Sequence, residues 1–150
     1  MDIPLTTNKV PITNIYRLPA HDRLILDNIL DDYVEKDFIQ QSDSAYSSPC
    51  FLRPKSDSKY NLIVDYTALN HILTPLNEYF PDIKEVFPEF VHARYFTKLD
   101  LKQGFYQIQI FNSDRHKTAF ATHRGKYEFK RLPFVLKNSP KFLQKILKNY

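Results

Sequence analysis

The sequence predicts an α+β domain, on three observations made along its 150 residues. Apolar positions recur at helical spacing between residues 20 and 36, and two short apolar runs between residues 50 and 66 are separated by charged residues. Residues 94–101 and 106–111 alternate apolar and polar positions, which is the pattern of half-buried strands. The length suits one domain, and no apolar run approaches a membrane span, which takes about 20 residues.

Residues 1–19 are expected to form an extended lead-in, because they contain three prolines and show little periodicity. The first helix is expected over residues 20–36, with acidic residues placed away from its apolar face. Packing of that face into a core is sufficient to explain the pattern. The apolar face consists of Leu26, Ile29, Leu30, Tyr33 and Val34.

A β-hairpin with a basic tip is predicted around residues 50–66. The runs 50–52 and 60–66 supply its two strands, because they are rich in apolar, aromatic and β-branched residues. The charged segment 53–59 lies between them and forms the tip. Cations are therefore expected at the exposed end of the hairpin.

The cysteine content and the first residues indicate a cellular compartment. Cys50 is the one cysteine, so it has no partner for an internal disulfide and cannot build a zinc site. The first residues lack the apolar core of a secretory signal. We therefore expect a cytoplasmic protein.

Asp100 lies at the end of the predicted strand 94–101, just before Gly104, which marks a bend. A carboxylate exposed at such a place is suited to hold a divalent cation. Hard cations take several oxygen ligands, however, and this stretch supplies one. The pattern alone leaves two interpretations open, a metal ligand and a lone surface aspartate.

Charge is distributed unevenly along the chain. Residues 1–114 carry 11 Lys and Arg against 16 Asp and Glu, whereas residues 115–150 carry 10 against 1. A final helix is expected from about residue 139, with Ser139 as its N-cap and Pro140 at its first position. Its basic stripe suits either a polyanion or simple solvation. The stripe consists of Lys137, Lys141, Lys145 and Lys148.

The segment FTKLDLKQGFYQI, residues 96–108, resembles the first catalytic motif of reverse transcriptases from gypsy-type long-terminal-repeat retrotransposons. The usual form of that motif is F-x-K-L-D-L-x-x-G-Y-x-Q-I. The residues that match it are Phe96, Lys98, Leu99, Asp100, Leu101, Gly104, Phe105, Gln107 and Ile108.

Two further blocks carry the same resemblance. Residues 47–70 are similar to the fingers region of that family, and residues 117–140 to the segment K-T-A-F-x-T with its continuation. The resemblance covers about residues 16–148. It implies the fingers and the first part of the palm of a right-hand polymerase, with a fingers-like region at 20–93 and a partial palm at 94–150.

The function that the resemblance implies is RNA-directed DNA polymerisation, a nucleotidyl transfer that uses Mg²⁺, deoxynucleoside triphosphates and an RNA or DNA template-primer. Asp100 would be the catalytic carboxylate and metal ligand, with the Leu101 carbonyl as a helper. Phe105 would lie under the nucleotide sugar, and Phe134 would form part of the nucleotide pocket. The other implied contacts are Arg53 and Lys55 with the triphosphate, Asp65, Lys137 and Pro140 with the template, and Lys141, Lys145 and Lys148 with the nucleic-acid backbone.

Three of the departures from the family pattern bear most directly on function. Asn61 stands where the family has an arginine that binds the triphosphate, and an amide cannot supply that charge. Val135 stands where the family has a glycine beside the template, so crowding is expected there. The Tyr-x-Asp-Asp hairpin, which supplies two more carboxylates, does not occur in these residues. We therefore expect a portion of the enzyme that stops before this hairpin, lacks activity by itself and binds no metal tightly.

Two other functions stay open at this point. One is a non-catalytic module that binds nucleic acid or another partner, and the other is an inert relic of a transposable element. An incomplete palm is also expected to leave one sheet edge uncovered, which would promote self-association. No membrane partner is expected.

Overall fold

The computed structural model describes residues 1–55, 59–77, 82–98 and 100–148, with Ile83 and Glu89 described by their backbone alone. Helices and antiparallel strands occur in separate runs along the chain, which confirms the predicted α+β class. The helices are α1 (Ala20–Glu35), α2 (Thr67–Ile72), α3 (Ile83–Phe90), α4 (Asn112–Arg115) and α5 (Ser139–Leu147). The strands are β1 (Ile39–Gln41), β2 (Cys50–Pro54), β3 (Tyr60–Val64), β4 (Phe120–Thr122) and β5 (Gly125–Phe129).

The strands form two antiparallel sheets. Strands β2 and β3 make the hairpin predicted around residues 50–66, and their register places Arg53 opposite Asn61. The second sheet has the order β1-β5-β4. Residues 56–58 of the hairpin tip lie outside the described residues.

Helix α1 covers the core, as its apolar face predicts. Leu26 and Leu30 are fully buried, whereas Val34 at the C-terminal end of the same face is half exposed. The helix ends at Glu35, and the Lys36 amide donates to the carbonyl of Asp32. The prediction of a helix over residues 20–36 is therefore confirmed to within one residue.

A buried hydrogen bond joins the hairpin side of the molecule to the three-stranded sheet. The hydroxyl of Tyr66, which directly precedes α2, donates to the carbonyl of Thr118 at 2.7 Å. Tyr66 and Thr118 are both fully buried. The Thr118 hydroxyl in turn donates to the Arg115 carbonyl and accepts from the Phe129 amide. One polar chain thus connects α2, α4 and β5 inside an apolar core.

Residues 1–6 form neither helix nor strand, apart from a single bridge of Leu5 with Leu73, and they are an integral part of the core. Ile3 has no exposed surface. The Thr6 amide donates to the Ile72 carbonyl at 2.8 Å, and the Thr74 amide donates to the Pro4 carbonyl at 2.9 Å. The Phe111 amide donates to the Met1 carbonyl. The segment therefore ties the end of α2 to the start of α4, and we call it the N-terminal strap.

The predicted strand 94–101 is wrong for the described part of that segment. Residues 94–98 and 100 form neither strand nor helix, and Leu99 lies outside the described residues. A strand is stable only where a neighbour pairs with its backbone, and no described strand pairs with this segment. Alternation of residue types cannot by itself supply that partner.

The second predicted strand, 106–111, is partly wrong. Its first residues belong to a short 3₁₀ turn over Gly104–Gln107. The following residues run beside 130–132, where the Ile110 amide donates to the Lys130 carbonyl and the Leu132 amide to the Ile108 carbonyl. Ile108 and Ile110 are buried as the alternation requires.

Helix α5 begins at Ser139, which confirms the predicted final helix but not its cap. Ser139 is fully buried, and its hydroxyl donates to the Pro133 carbonyl at 2.7 Å. Asn138 occupies the cap position instead and makes no side-chain cap hydrogen bond. Ser139 thus holds the preceding turn against the helix. Within the described ranges no helix is long and apolar enough to span a membrane.

Truncation of Ile3 should be strongly destabilising. Ile3→Ala removes a fully buried side chain, and the free energy of unfolding should fall by about 2–5 kcal/mol. Ile12, which follows the strap in the lead-in, is 95% exposed, so Ile12→Ala should change the free energy of unfolding by less than about 0.5 kcal/mol. Urea denaturation measures both values. Equal effects of the two substitutions would contradict a strap packed into the core.

Candidate nucleic-acid and nucleotide interface

The basic tip of the hairpin is present, but its partner charge is not. Arg53 and Lys55 are exposed, and Arg53 faces Asn61 across the two strands. Neither cation forms an ion pair with any residue that the structure describes. The Lys55 amide donates to the Lys59 carbonyl at 2.7 Å, which holds the two strand ends together. Two cations therefore project from the described part of the tip, and the position opposite Arg53 is neutral.

Asp65 is fixed at the start of α2. One carboxylate oxygen accepts from the amide and hydroxyl of Thr67, and the other accepts from the hydroxyl of Tyr16 at 2.9 Å. These hydrogen bonds, with those from Thr67 the strongest, hold the pKa of Asp65 below its usual value. The carboxylate is thus a positioning group that connects the lead-in to α2.

Asn70 fixes the loop that precedes α5. Its side-chain carbonyl accepts from the Lys137 amide at 2.9 Å, and its amide nitrogen donates to the Val135 carbonyl at 3.3 Å. Asn70 lies in the block 47–70 that resembles the family, but that resemblance does not indicate the two hydrogen bonds to the loop. An asparagine carries both a donor and an acceptor, which is the signal that suggests a bridge between two backbone groups.

Two clefts run along α2 and share Thr67 and His71. The first, of about 350 Å³, also contacts Tyr16 and Asp65. The second, of about 250 Å³, ends at Lys137. We call these two clefts together the α2 groove.

An exposed aromatic pair that was not predicted from the sequence stands beside the α2 groove. The rings of Tyr16 and Phe51 lie 6.2 Å apart and are tilted by 60°. They are 46% and 36% exposed. Phe51 alternates with core-facing residues of β2, so its outward direction was readable from the period of the strand, but its pairing with Tyr16 was not.

The backbone at Val135 has a conformation that a β-branched residue tolerates, and crowding of a template strand by its side chain stays a prediction. Its side chain packs against the core, and its φ angle is not positive. Phe134 beside it is 44% exposed. The loop therefore presents Phe134 outward and keeps Val135 inward.

The basic stripe of α5 is not uniform. Lys141 donates to the Leu76 carbonyl at 2.8 Å and is half-buried. Lys145, Lys148 and Pro140 are exposed, and Lys137 borders the α2 groove. Lys141 thus also anchors α5 to residue 76, and the nucleic-acid contacts expected of the basic stripe stay a prediction.

Asp100 is exposed and lies in an irregular segment. The Leu101 carbonyl accepts from the Gly104 amide at 3.2 Å, and the Leu101 side chain borders an apolar groove of about 560 Å³ with Leu143 and Leu147. Phe105 packs against the core. The described residues contain no group of three or more His, Cys, Asp and Glu that would hold a metal ion, so their donor set does not fit a two-metal site.

A comparison with protein-family models matches residues 53–150 to "Reverse transcriptase (RNA-dependent DNA polymerase)". This match covers about two thirds of the chain and includes strand β3, Asp100 and α5. This chain belongs to the reverse transcriptase family. The resemblance found in the sequence is therefore confirmed.

Curated relatives place the chain among retrotransposon proteins. The Pol polyprotein of transposon opus from Drosophila melanogaster is 39% identical over 137 residues, which are 88% of this chain and 14% of the relative. The Pol polyprotein of transposon 297 from the same organism is 33% identical over 150 residues, or 96% of this chain and 14% of the relative. The chain therefore corresponds to about one seventh of the length of these polyproteins.

Solved structures confirm the fold of this part of a reverse transcriptase. The native protease-reverse transcriptase of prototype foamy virus is 22% identical and covers 99% of this chain and 20% of that chain, with a TM-score of 0.85. A foamy viral protease-reverse transcriptase in complex with an RNA/DNA hybrid gives the same TM-score at 20% identity, over 99% of this chain and 20% of that chain. At this level of sequence identity the likeness establishes the fold alone, which is that of the fingers and part of the palm.

Removal of the Asn70 side chain should loosen the loop before α5. Asn70→Ala deletes the acceptor of the Lys137 amide, so that amide should exchange with solvent deuterium faster, and the unfolding free energy should fall by about 1 kcal/mol. His71→Ala, on the same helix, serves as the control because His71 is exposed. Hydrogen exchange followed by NMR measures the effect. An unchanged exchange rate at Lys137 would contradict the assigned bridge.

Proposed function

We propose that this chain is the template-binding and nucleotide-contacting portion of an RNA-directed DNA polymerase, with residues 20–93 acting as fingers and 94–150 as a partial palm. The observation that carries the proposal is the α2 groove, bounded by exposed aromatic rings at one end and by Lys137 at the other. Single-stranded nucleic acid is bound by this combination, since bases stack on aromatic rings and phosphates pair with cations.

The contacts divide between template and nucleotide. Lys137, Pro140, Lys145 and Lys148 supply the phosphate-facing surface, with Asp65 and Asn70 holding the groove in shape. Arg53 and Lys55 meet the triphosphate of an incoming deoxynucleotide, and Phe105 and Phe134 border its sugar and base. Asn61 in place of an arginine weakens this second set, because the charge opposite Arg53 is lost.

Asp100 contributes one metal ligand, helped by the Leu101 carbonyl, to the Mg²⁺ site of the complete enzyme. Bound Mg²⁺ would activate the primer hydroxyl and stabilise the transferring phosphate. We place this activity in the cytoplasm, which imaging of a tagged chain in host cells would test.

The first test concerns catalysis. This chain by itself should extend no primer in Mg²⁺ or Mn²⁺, because one carboxylate cannot hold two metal ions. Asp100→Asn should therefore behave like the parent chain in a radiolabelled primer-extension assay, with an active reverse transcriptase as the positive control. Template-dependent incorporation that disappears in Asp100→Asn would show that the chain assembles a working site.

The second test concerns nucleic-acid binding. Affinity for single-stranded RNA or DNA should be on the order of micromolar and should fall as salt rises, because bound phosphates release counterions. Lys145→Ala with Lys148→Ala should lower the slope of log affinity against log salt by about one to two units. Lys9→Ala with Lys36→Ala removes the same charge from exposed positions elsewhere and should leave the slope unchanged. Fluorescence anisotropy at several salt concentrations measures all three proteins.

The result also separates the two alternative functions. A non-catalytic binding module is favoured by Asn61 and by the incomplete donor set around Asp100, and it predicts salt-dependent binding without primer extension. An inert relic predicts neither. An unchanged slope in the Lys145 and Lys148 variant would remove nucleic-acid binding from α5.

Self-association remains a prediction, but the surface that would support it differs from the one expected. Residues 94–98 form no sheet edge, and several apolar side chains on them and on residues 87–91 are exposed instead. We propose that these side chains mediate association of isolated chains. The exposed set is Phe87, Phe90, Val91, Tyr95 and Phe96.

Sedimentation velocity over a range of concentrations tests this surface. Tyr95→Ser with Phe96→Ser should shift the protein towards the monomer, because both side chains are more than half exposed. Ile12→Ser removes an equally exposed apolar side chain elsewhere and should not. A parent chain that remains monomeric at all concentrations would refute the association.

A further inference from the structure

A small pocket lies between residues 15–18 of the lead-in and the strands β2 and β4, and the functions considered above do not use it. Its volume is about 150 Å³. Cys50 and Ala121 are its most deeply buried lining residues, with 2% and 5% of their surface exposed. Tyr16 and Leu18 form a side wall.

The interior of this pocket is neutral. The Cys50 thiol donates to the Ala121 carbonyl at 3.3 Å, so both groups are already paired. Burial raises the pKa of the thiol to about 12, which keeps it protonated at neutral pH. An apolar cavity of about 150 Å³ accepts a ring of the size of benzene. The volume of the pocket therefore matches one pyrimidine ring more closely than a purine.

The mouth of the pocket is cationic. Arg17 and Arg23 line it, both are exposed, and neither forms an ion pair within the described ranges. The Nε of Arg23 donates to the Leu18 carbonyl at 3.0 Å, which fixes the guanidinium next to the mouth.

The nearest acid to consider at the mouth is Asp27, which lies next to His123. One of its carboxylate oxygens lies 2.9 Å from Nε2 of His123, which also lines the pocket, and 3.7 Å from Arg124. Among the described residues, no ion pair joins Asp27 to Arg17 or Arg23. Two guanidinium groups next to a neutral, ring-sized interior suit a ligand that has a planar ring and a phosphate.

We propose that this pocket binds one unpaired pyrimidine nucleotide of a single-stranded nucleic acid, with its ring against Tyr16 and its phosphate on Arg17 and Arg23. Tyr16 also borders the α2 groove, so a strand that lies in the groove reaches the pocket without leaving the surface. The identity of the ligand rests on the proposed function, since a groove for template strands is what delivers the nucleotide.

The test compares uridine 5′-monophosphate, uridine, inorganic phosphate and adenosine 5′-monophosphate by NMR titration of the amides of Ala121 and Thr122. Uridine monophosphate should bind about tenfold more tightly than uridine or phosphate, because its ring contacts the interior of the pocket and its phosphate contacts the arginines at the mouth. Adenosine monophosphate should bind severalfold more weakly than uridine monophosphate. Equal binding of phosphate and uridine monophosphate would overturn the nucleotide assignment.

Two variants separate the mouth from the interior. Arg17→Ala with Arg23→Ala should weaken uridine monophosphate about tenfold, whereas Arg94→Ala with Lys36→Ala, which removes the same charge from exposed positions, should not. Ala121→Ile fills the interior without changing charge and should also abolish binding, provided that circular dichroism shows an intact fold.

An oligouridylate titration distinguishes this inference from the proposed function. Equal affinity of the parent chain and the Arg17 and Arg23 variant for oligouridylate, without uridine monophosphate binding, would overturn the pocket and leave the proposed function standing. Failure of the parent chain to bind oligouridylate at all would overturn the proposed function and the ligand named here. Weaker oligouridylate binding by the arginine variant alone supports both.

Discussion

The hydrogen bond from the Tyr66 hydroxyl to the Thr118 carbonyl determines where α2 lies. A buried hydroxyl without an acceptor is costly, so the end of β3 and the start of α2 are held wherever that carbonyl is. Helix α2 then presents Asn70 to the loop before α5, and Asn70 aligns Lys137. The candidate interface is therefore built from segments that are far apart in the sequence. Hydrogen bonds made by Tyr66 and Asn70 hold these segments together.

Local pattern was sufficient for the elements whose partners are close in sequence or are supplied by the core. Helix α1 follows from the spacing of Leu26 and Leu30, and the β2–β3 hairpin follows from two runs that flank a charged turn. The family was likewise accessible, because the residues around Asp100 match a motif directly. Each of these predictions needs information from one window of the chain.

The remaining features depend on contacts with residues that are far away along the chain, and a short stretch of sequence does not contain those residues. Residues 94–98 have the composition of a strand but lack a neighbouring strand among the described residues, and Ser139 is placed for capping but bonds to the Pro133 carbonyl instead. Lys141 belongs to a basic stripe by its spacing, yet its ammonium group also donates a hydrogen bond to the Leu76 carbonyl. In each case a specific tertiary contact overrides a local preference.

The N-terminal strap has a consequence for the order in which the chain becomes native. Ile3 is buried only when 72–74 and the segment from 109 to 117 have reached their places, since those residues supply its backbone neighbours and the lysine that binds its carbonyl. Contacts that span more than 100 residues form late, because the loop between them must first be closed. During synthesis the N-terminal strap would stay extended and without its hydrogen-bond partners until most of the domain has emerged from the ribosome. An apolar segment held in that state is one that a chaperone can recognise before the fold covers it.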